Sequence, residues 1–195
     1  HEEWEHVVVH RDVKANNVLL GADMGARLGD FGLARLYEHG ANHATTRVAG
    51  TLGYMAPELT VTSRATTATD VFSFGALLLE VACGRRPVVP PSEATDDSDV
   101  ILVRWVRACG VDGDLLRAVD PRLEGCYDEG EAKLVLWLGL MCSQARPEAR
   151  PSMRQVCRYL SGEEALREDA ALVFSGADSV EFIGSSLSIA WSSGG

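Results

Sequence analysis

One run of large apolar residues in the middle of the chain is too continuous for a helix on the protein surface. Seven of these residues lie between Val71 and Val81, and at about 3.6 residues per turn they cover every face of a helix. Residues 67–70 (Thr-Ala-Thr-Asp) resemble a capping box with Thr67 as the N-cap, and Gly84 is a typical helix end. A helix that is apolar on all sides must be enclosed by other elements, so we expect this one to form the centre of the core.

Short strands are predicted before this helix and further helices after it. Brief apolar runs predict strands at residues 7–9, 18–20 and 26–28. Apolar periodicity predicts helices at residues 100–108, 134–142 and 152–160. Trp105 is expected on an apolar helix face, and Met153, Val156 and Leu160 are expected to face inward, whereas the proline- and aspartate-rich residues 87–99 predict a loop. The pattern indicates an α+β fold that is mostly α-helical.

Composition excludes several functional classes. The 195 residues carry 28 acidic and 18 basic side chains, a net charge of −10, which argues against a nucleic-acid-binding surface. No apolar run approaches the length of about 18–20 residues that spans a bilayer. The five cysteines form no Cys-x-x-Cys pair, and most lie in apolar helical stretches, which predicts reduced, buried thiols. The first residues show no signal-peptide pattern and no initiator methionine, so we expect part of a longer chain.

The residues able to carry chemistry lie mainly in the N-terminal part of the chain. Asp12 and Asn17 stand between two predicted strands, and Asp30 follows the third. Phosphoryl transfer from a magnesium nucleotide requires a carboxylate that orients the attacking hydroxyl and hard oxygen ligands for the metal. Lys14 can place a positive charge beside the transferred group. We therefore expect Asp12, Asn17 and Asp30 to converge around one magnesium-bound triphosphate.

Three motifs in order make the chain resemble the C-terminal lobe of a eukaryotic-type protein kinase. The motifs are His10-Arg11-Asp12, Asp30-Phe31-Gly32 and Ala56-Pro57-Glu58. The resemblance implies that Asp12 is the catalytic base, that Asn17 and Asp30 are metal ligands, and that Lys14 acts in catalysis and in nucleotide binding. It also implies ATP and Mg²⁺ as cofactors, with Mn²⁺ as an alternative, short strands around the catalytic loop, and no N-terminal lobe within these residues.

The same resemblance assigns an activation segment. Phe31 and Gly32 would open it and set its active or inactive state, and Thr51 and Glu58 lie towards its end. Arg11 beside Asp12 marks kinases whose activation loop is ordered by phosphorylation, because a guanidinium pairs well with a phosphothreonine. Thr45 and Thr46 are the candidate phosphosites; the alternative for both is an unmodified polar loop.

Further residues are expected to support the site. By resemblance, His10 belongs to the catalytic loop, Asp70 holds the backbone of that loop, and Arg150 forms a buried ion pair with Glu58. The alternative for Asp70 is a carboxylate that interacts with the helix dipole, and both readings can hold together. Taken in isolation, Glu58 and Arg150 would more often be surface charges.

Finer matches narrow the resemblance. Lys14 and residues 50–54 (Gly-Thr-Leu-Gly-Tyr) are similar to the serine/threonine branch. Residues 28–40, 45–51, 80–87 and 150–156 resemble plant receptor-like kinases, among which the L-type lectin-domain receptor kinases are most similar. We expect a partial kinase domain over residues 1–162. Residues 163–195 form an acidic and then serine-rich tail that we expect to be flexible.

The resemblance also implies parts that these residues do not contain. A kinase requires a Gly-x-Gly-x-x-Gly loop over the phosphates and a strand lysine paired with a helix glutamate, whereas Lys14 and Lys133 are the only lysines here. We therefore expect a partial serine/threonine kinase domain from receptor signalling that is inactive alone. The alternative is a truncated kinase fragment that acts as an interaction or decoy module.

Partners and location are implied by the same resemblance. The expected partners are ATP and a protein substrate with serine or threonine, and no nucleic acid. A full receptor would span the membrane and hold this domain on the cytoplasmic side of the plasma membrane. The fragment itself is expected to be soluble and cytosolic, with an exposed apolar face where the upper lobe would dock.

Overall fold

Strands precede helices along the chain, which confirms the expected mostly α-helical α+β class. The computed structural model describes residues 6–38, 51–89 and 100–165, so Thr45, Thr46 and most of the C-terminal tail lie outside the described residues. The strands are β1 (His6–Val9), β2 (Val18–Leu20), β3 (Ala26–Leu28) and β4 (Arg35–Glu38). The helices are α1 (Pro57–Thr62), α2 (Thr67–Cys83), α3 (Leu102–Val111), α4 (Glu129–Cys142) and α5 (Met153–Leu160). Short 3₁₀ turns lie at Ala15–Asn17, Phe31–Leu33, Leu115–Ala118, Pro121–Leu123 and Pro147–Ala149.

Two small antiparallel sheets flank the first two motifs, His10-Arg11-Asp12 and Asp30-Phe31-Gly32. β1 pairs with β4, so that Val9 lies opposite Arg35, and β2 pairs with β3, so that Val18 lies opposite Leu28. The three strands expected from apolar runs are present. β4 was not predicted, because its four residues, Arg-Leu-Tyr-Glu, form neither an apolar run nor an alternating pattern. Its pairing depends on β1, which is far away in sequence.

Helix α2 forms the centre of the core, with two corrections to the expected pattern. Its N-cap is Thr66 rather than Thr67, and Thr66 and Thr69 cap each other reciprocally through side chain and backbone. Its C-cap is Gly84, which adopts the left-handed conformation with φ of 61°. The helix is not covered on every side, because Val81 in its last turn is 70% exposed. The prediction that this helix forms the centre of the core is confirmed, since Leu79 is fully buried within the main apolar cluster.

The backbones of α2 and α4 approach each other closely at two glycines. A Cβ added to Gly75 would lie 2.7 Å from the Cβ of Cys142 and 2.8 Å from the carbonyl oxygen of Gly139. A Cβ added to Gly139 would similarly meet the side chain of Leu79. The crossing therefore depends on the absence of side chains at both positions.

The remaining helices differ from the sequence expectation mainly at their ends. α4 starts at Glu129, after its N-cap Asp128, which is five residues earlier than expected. The early start was missed because the first turn of the helix is polar and carries no apolar pattern. In α5, capped by Ser152, Val156 is buried as expected, but Leu160 is 46% exposed and does not face inward. No helix among the described residues is long and apolar enough to cross a membrane.

The cysteines are free thiols. Three of them are buried in helices, which agrees with the expectation for most of the set: Cys83, Cys109 and Cys142. Burial raises the pKa of the thiols of Cys83 and Cys142 to about 12, so both remain protonated at neutral pH. Cys126 and Cys157 are exposed, so the expectation of burial does not extend to them.

Candidate active site

The segment between β1 and β2 carries Asp12, whose carboxylate is surrounded by hydrogen-bond donors. The Lys14 ammonium lies 2.7 Å from Oδ2 of Asp12, and the Thr51 hydroxyl donates to Oδ1 at 3.1 Å. Lys14 also donates to the Thr51 oxygen at 3.1 Å. The Asn17 amide donates to the Asp12 backbone oxygen at 2.8 Å and to Oδ2 at 3.2 Å. These four side chains form one connected network.

The network determines the charge state of Asp12. Burial raises the pKa of this carboxyl, but hydrogen bonds from Lys14, Thr51 and Asn17, together with the charge of Lys14, outweigh burial and hold the pKa below its ordinary value. Asp12 is therefore ionised at neutral pH. An ionised carboxylate can accept a hydrogen bond from an incoming hydroxyl and orient it.

Asn17 and Asp30 are brought together by the β2–β3 hairpin. The Gly29 amide donates to the Asn17 backbone oxygen at 2.8 Å, which places Asp30 one residue away from that bond. Because the Asn17 side-chain nitrogen donates to Asp12, its Oδ1 is left for another partner. The Asp30 side chain is exposed and accepts a long bond from the Gly32 amide at 3.4 Å. An amide oxygen and a carboxylate are hard oxygen ligands of the kind that Mg²⁺ prefers, so the chemistry of these two side chains fits this ion.

Asp70, on α2, fixes the backbone of His10 and Arg11, the two residues before Asp12. Its two carboxylate oxygens accept the amides of His10, at 2.7 Å, and Arg11, at 2.9 Å. Arg11 has a φ of 73°, a left-handed conformation that is uncommon for a residue with a side chain. Burial raises the pKa of Asp70, and the two amide bonds oppose this only in part. Asp70 thus lies in the first turn of α2 and also holds the loop, as the two sequence readings together allow.

His10 connects the Asp12 segment to Gly29 and Phe31. The Asp12 amide donates to Nδ1 of His10 at 3.3 Å, so Nε2 carries the proton and donates to the Gly29 oxygen at 2.9 Å. The His10 and Phe31 rings meet edge to face, with centroids 4.7 Å apart. Phe31 is nevertheless 57% exposed.

The side chain of Arg11 contacts the start of the activation segment. The Arg11 guanidinium donates to the Leu33 oxygen at 3.2 Å, near the start of the activation segment. Thr45 and Thr46 lie outside the described residues, so the pairing of Arg11 with a phosphothreonine stays a prediction.

Arg150 and Glu58 form a bidentate ion pair. The two terminal nitrogens of Arg150 lie 2.6 and 2.8 Å from the two oxygens of Glu58. The remaining Arg150 donors bond to backbone oxygens of Ala68, Gln144 and Ala145. The Arg150 side chain is only 1% exposed, so the end of the activation segment is tied to the helical core.

Two contacts around Tyr54 were missed at the sequence level. The Tyr54 hydroxyl donates to the carboxylate of Glu80, and the Ser73 hydroxyl donates to the Tyr54 backbone oxygen at 2.7 Å. Glu80 could have indicated such a contact, because a lone carboxylate in an apolar helix needs a donor. Burial and Glu80 raise the pKa of Tyr54 well above its ordinary value.

Comparison with known proteins places these features in a family. Residues 2–160 match the model of the protein kinase domain, so the chain belongs to the protein kinase family. Within that family it is similar to plant L-type lectin-domain receptor kinases, which confirms the resemblance predicted from the motifs.

Two relatives illustrate the similarity. L-type lectin-domain containing receptor kinase IV.1 of Arabidopsis thaliana is 58% identical over 177 residues, which are 91% of this chain and 26% of the relative. L-type lectin-domain containing receptor kinase SIT2 of Oryza sativa subsp. japonica is 57% identical over 168 residues, 86% of this chain and 24% of the relative. The chain thus spans about a quarter of the length of these relatives.

Proposed function

We propose that this chain carries the phosphoryl-transfer part of a serine/threonine protein kinase that acts in receptor signalling. The substrate would be a serine or threonine hydroxyl of a protein, and the phosphoryl donor would be ATP. The supporting observation is the network in which Lys14, Thr51 and Asn17 all donate to Asp12. No other group of side chains in the described ranges combines an ionised base, a cation and an amide ligand in this way.

Each residue has a role that its contacts support. Asp12 would orient the attacking hydroxyl and receive its proton late in the reaction, since its lowered pKa makes it a weak base. Lys14 would offset negative charge on the transferred group. Asn17 and Asp30 would hold Mg²⁺, which supplies electrostatic stabilisation of the phosphates when bound.

Specificity for serine and threonine is supported by the bridge through Thr51. Its hydroxyl accepts from Lys14 and donates to Asp12, which ties the activation segment directly to the base. The lysine two positions after Asp12 is the feature that resembles the serine/threonine branch. The receptor setting, with this domain on the cytoplasmic face of a plasma membrane, is proposed from the similar receptor kinases.

We further propose that these 195 residues alone transfer phosphate very slowly. They contain no glycine-rich phosphate loop and no lysine besides Lys14 and Lys133, and each missing charge-stabilising donor costs about 10²–10³ in rate. Large apolar side chains of the β2–β3 hairpin are exposed, including Leu19 at 64%, Leu20 at 61% and Met24 at 73%. This surface supports packing against a further part of a kinase domain.

A chimera tests the proposal. The region of receptor kinase IV.1 that precedes the matched segment would be joined to this chain and assayed with Mg·ATP and a protein substrate. Asp12→Asn is expected to lower the rate by about 10²–10⁴, because it removes the base. Lys14→Met should also lower it, whereas Lys133→Met, the matched control on an exposed lysine, should not.

The products decide the specificity. Phosphoamino acid analysis of the products should show phosphoserine and phosphothreonine. Retained activity in Asp12→Asn, or phosphotyrosine as the main product, would refute the assignment.

The exposed apolar hairpin also favours a second candidate function, an interaction or decoy module that binds other kinase domains. A thermal-shift measurement on the chain separates the two. Stabilisation by Mg·ATP that is lost in Asp30→Ala supports the phosphoryl-transfer role. No shift, combined with stable binding to a kinase domain, supports the interaction module.

A further inference from the structure

The segment that follows α2 is tied firmly to α3. The guanidinium of Arg85 lies 4.0 Å from the centre of the Trp105 ring, within the range of a cation–π contact. Two residues later, the Pro87 backbone oxygen accepts the amide of Leu102 at 3.0 Å. Val88 pairs with Ile101, the N-cap of α3, through an isolated β-bridge. Residues 85–89, which we term the brace, are therefore held by α3 along most of their length.

The other side of the brace presses against the activation segment. Gly53 has a φ of 91°, and a Cβ added to it would lie 2.8 Å from side-chain atoms of both Pro87 and Val88. No side chain other than hydrogen fits between the two backbones. Any displacement of the brace therefore displaces Gly53 or opens a gap beside it.

Gly53 belongs to the same turn as Thr51. The amide of Tyr54 donates to the Thr51 backbone oxygen at 3.1 Å, which closes the turn around Gly53. The Thr51 hydroxyl then contacts both Lys14 and Asp12, each at 3.1 Å. An uninterrupted series of contacts thus runs from α3 through the brace and the turn to Asp12.

We propose that the stack of Arg85 on Trp105 is a positioning contact for the phosphoryl-transfer site. It holds the brace against Gly53 and so keeps the Thr51 hydroxyl between Lys14 and Asp12. Neither Arg85 nor Trp105 acts on the substrate directly; both work through Thr51. The catalytic meaning of this coupling rests on the proposed function, but the coupling itself is measured without ATP.

The two lysines of the chain provide the readout. NMR of the side-chain ε-carbons, with ¹³C-labelled lysine, gives one signal from Lys14 inside the network and one from Lys133, which is exposed and 3.7 Å from Glu129. In Arg85→Gln and in Trp105→Leu, the Lys14 signal is expected to move towards the position of Lys133. The Lys133 signal should stay in place and report that the fold is intact.

Conservative and neighbouring variants make the test specific. Trp105→Phe and Arg85→Lys keep a cation over an aromatic ring and should retain the wild-type Lys14 signal. Arg85→Lys adds one further lysine signal, which comparison with the wild-type spectrum identifies. Arg86→Gln removes the adjacent, exposed arginine and should leave both signals unchanged. Amide hydrogen exchange at Tyr54 should become about two- to fivefold faster in Arg85→Gln, the factor that corresponds to a cation–π contact of ordinary strength.

Several results would overturn the inference. An unchanged Lys14 signal and unchanged Tyr54 exchange in folded Arg85→Gln would show that the brace does not position Thr51. An equal change in Arg86→Gln would show that the effect is one of general charge. If Trp105→Leu unfolds the chain, Arg85→Gln decides alone. Failure of the proposed function would be seen in a different experiment, as phosphoryl transfer that survives Asp12→Asn in the chimera.

Discussion

Replacing Arg150 with lysine is expected to destabilise the fold by about 3–5 kcal/mol although the charge is kept. Arg150 uses all its N–H groups: its terminal nitrogens bond to Glu58 and to two backbone oxygens, and its Nε bonds to a third. A lysine has three donors, so at least two charge-assisted bonds are lost. At about 1.5–3 kcal/mol each, this loss reaches the cost of breaking a buried ion pair.

Urea unfolding followed by far-UV circular dichroism measures the effect. We expect the midpoint of Arg150→Lys to fall with an unchanged slope, because the same surface is exposed on unfolding. Arg117→Lys is the matched control, since the Arg117–Asp112 pair has side chains that are 51% and 57% exposed, and its midpoint should stay within experimental error. Equal midpoints for the two variants would refute the reasoning, because exposed and buried arginines would then be equivalent.

Packing and titration at other sites give three more expected outcomes. Gly75→Ala should lower the free energy of unfolding by about 1–3 kcal/mol, because its Cβ would meet that of Cys142; a urea curve identical to wild type would show that α2 and α4 can separate freely. The lowered pKa of Asp12 stabilises the fold above the unfolded pKa, and this stabilisation is lost as pH falls through the folded value. The melting-temperature difference between wild type and Asp12→Asn should therefore hold from about pH 5 to 7 and shrink below about pH 4, and a difference that grows on acidification is inconsistent with the network. In an ultraviolet titration, one of the four tyrosines should stay protonated beyond about pH 10, and this late-ionising tyrosine should be missing in Tyr54→Phe. Simultaneous ionisation of all four would contradict a buried Tyr54–Glu80 contact.

The predictable parts of the fold are those that depend on residues close together in sequence. The density of apolar side chains from Val71 onward was enough to predict α2 and its end at Gly84. Its start was predicted one position late, because Thr66 and Thr67 are equally good caps and only pairing with Thr69 distinguishes them. β4 was missed because it depends on its partner β1 rather than on its own sequence.

The same distinction applies to the candidate site. Asp12, Asn17 and Asp30 could be proposed from the sequence because their motifs are short and ordered along the chain, and their roles stay predictions. The bridge through Thr51 and the contact between Tyr54 and Glu80 could not be predicted, since each joins residues that are far apart in sequence. The stack of Arg85 on Trp105 likewise depends on how α3 returns to the end of α2. Long-range geometry, rather than residue type, limited the prediction.

Helix α2 serves several parts of the site from successive turns. Asp70 in its first turn holds the backbone of His10 and Arg11, and Ser73 one turn later holds the Tyr54 backbone. Glu80, two turns further on, holds the Tyr54 hydroxyl. Gly84 then ends the helix, and the brace follows directly at residue 85.

The length of α2 is therefore under tight constraint. Inserting or deleting one residue between Asp70 and Glu80 would turn the following part of the helix by about 100° and shift it along its axis. The anchor points could then no longer face their partners together. Gly113 and Gly125, by contrast, have open space around them, so changes of chain length that arise in this protein should accumulate at such turns and be absent from α2.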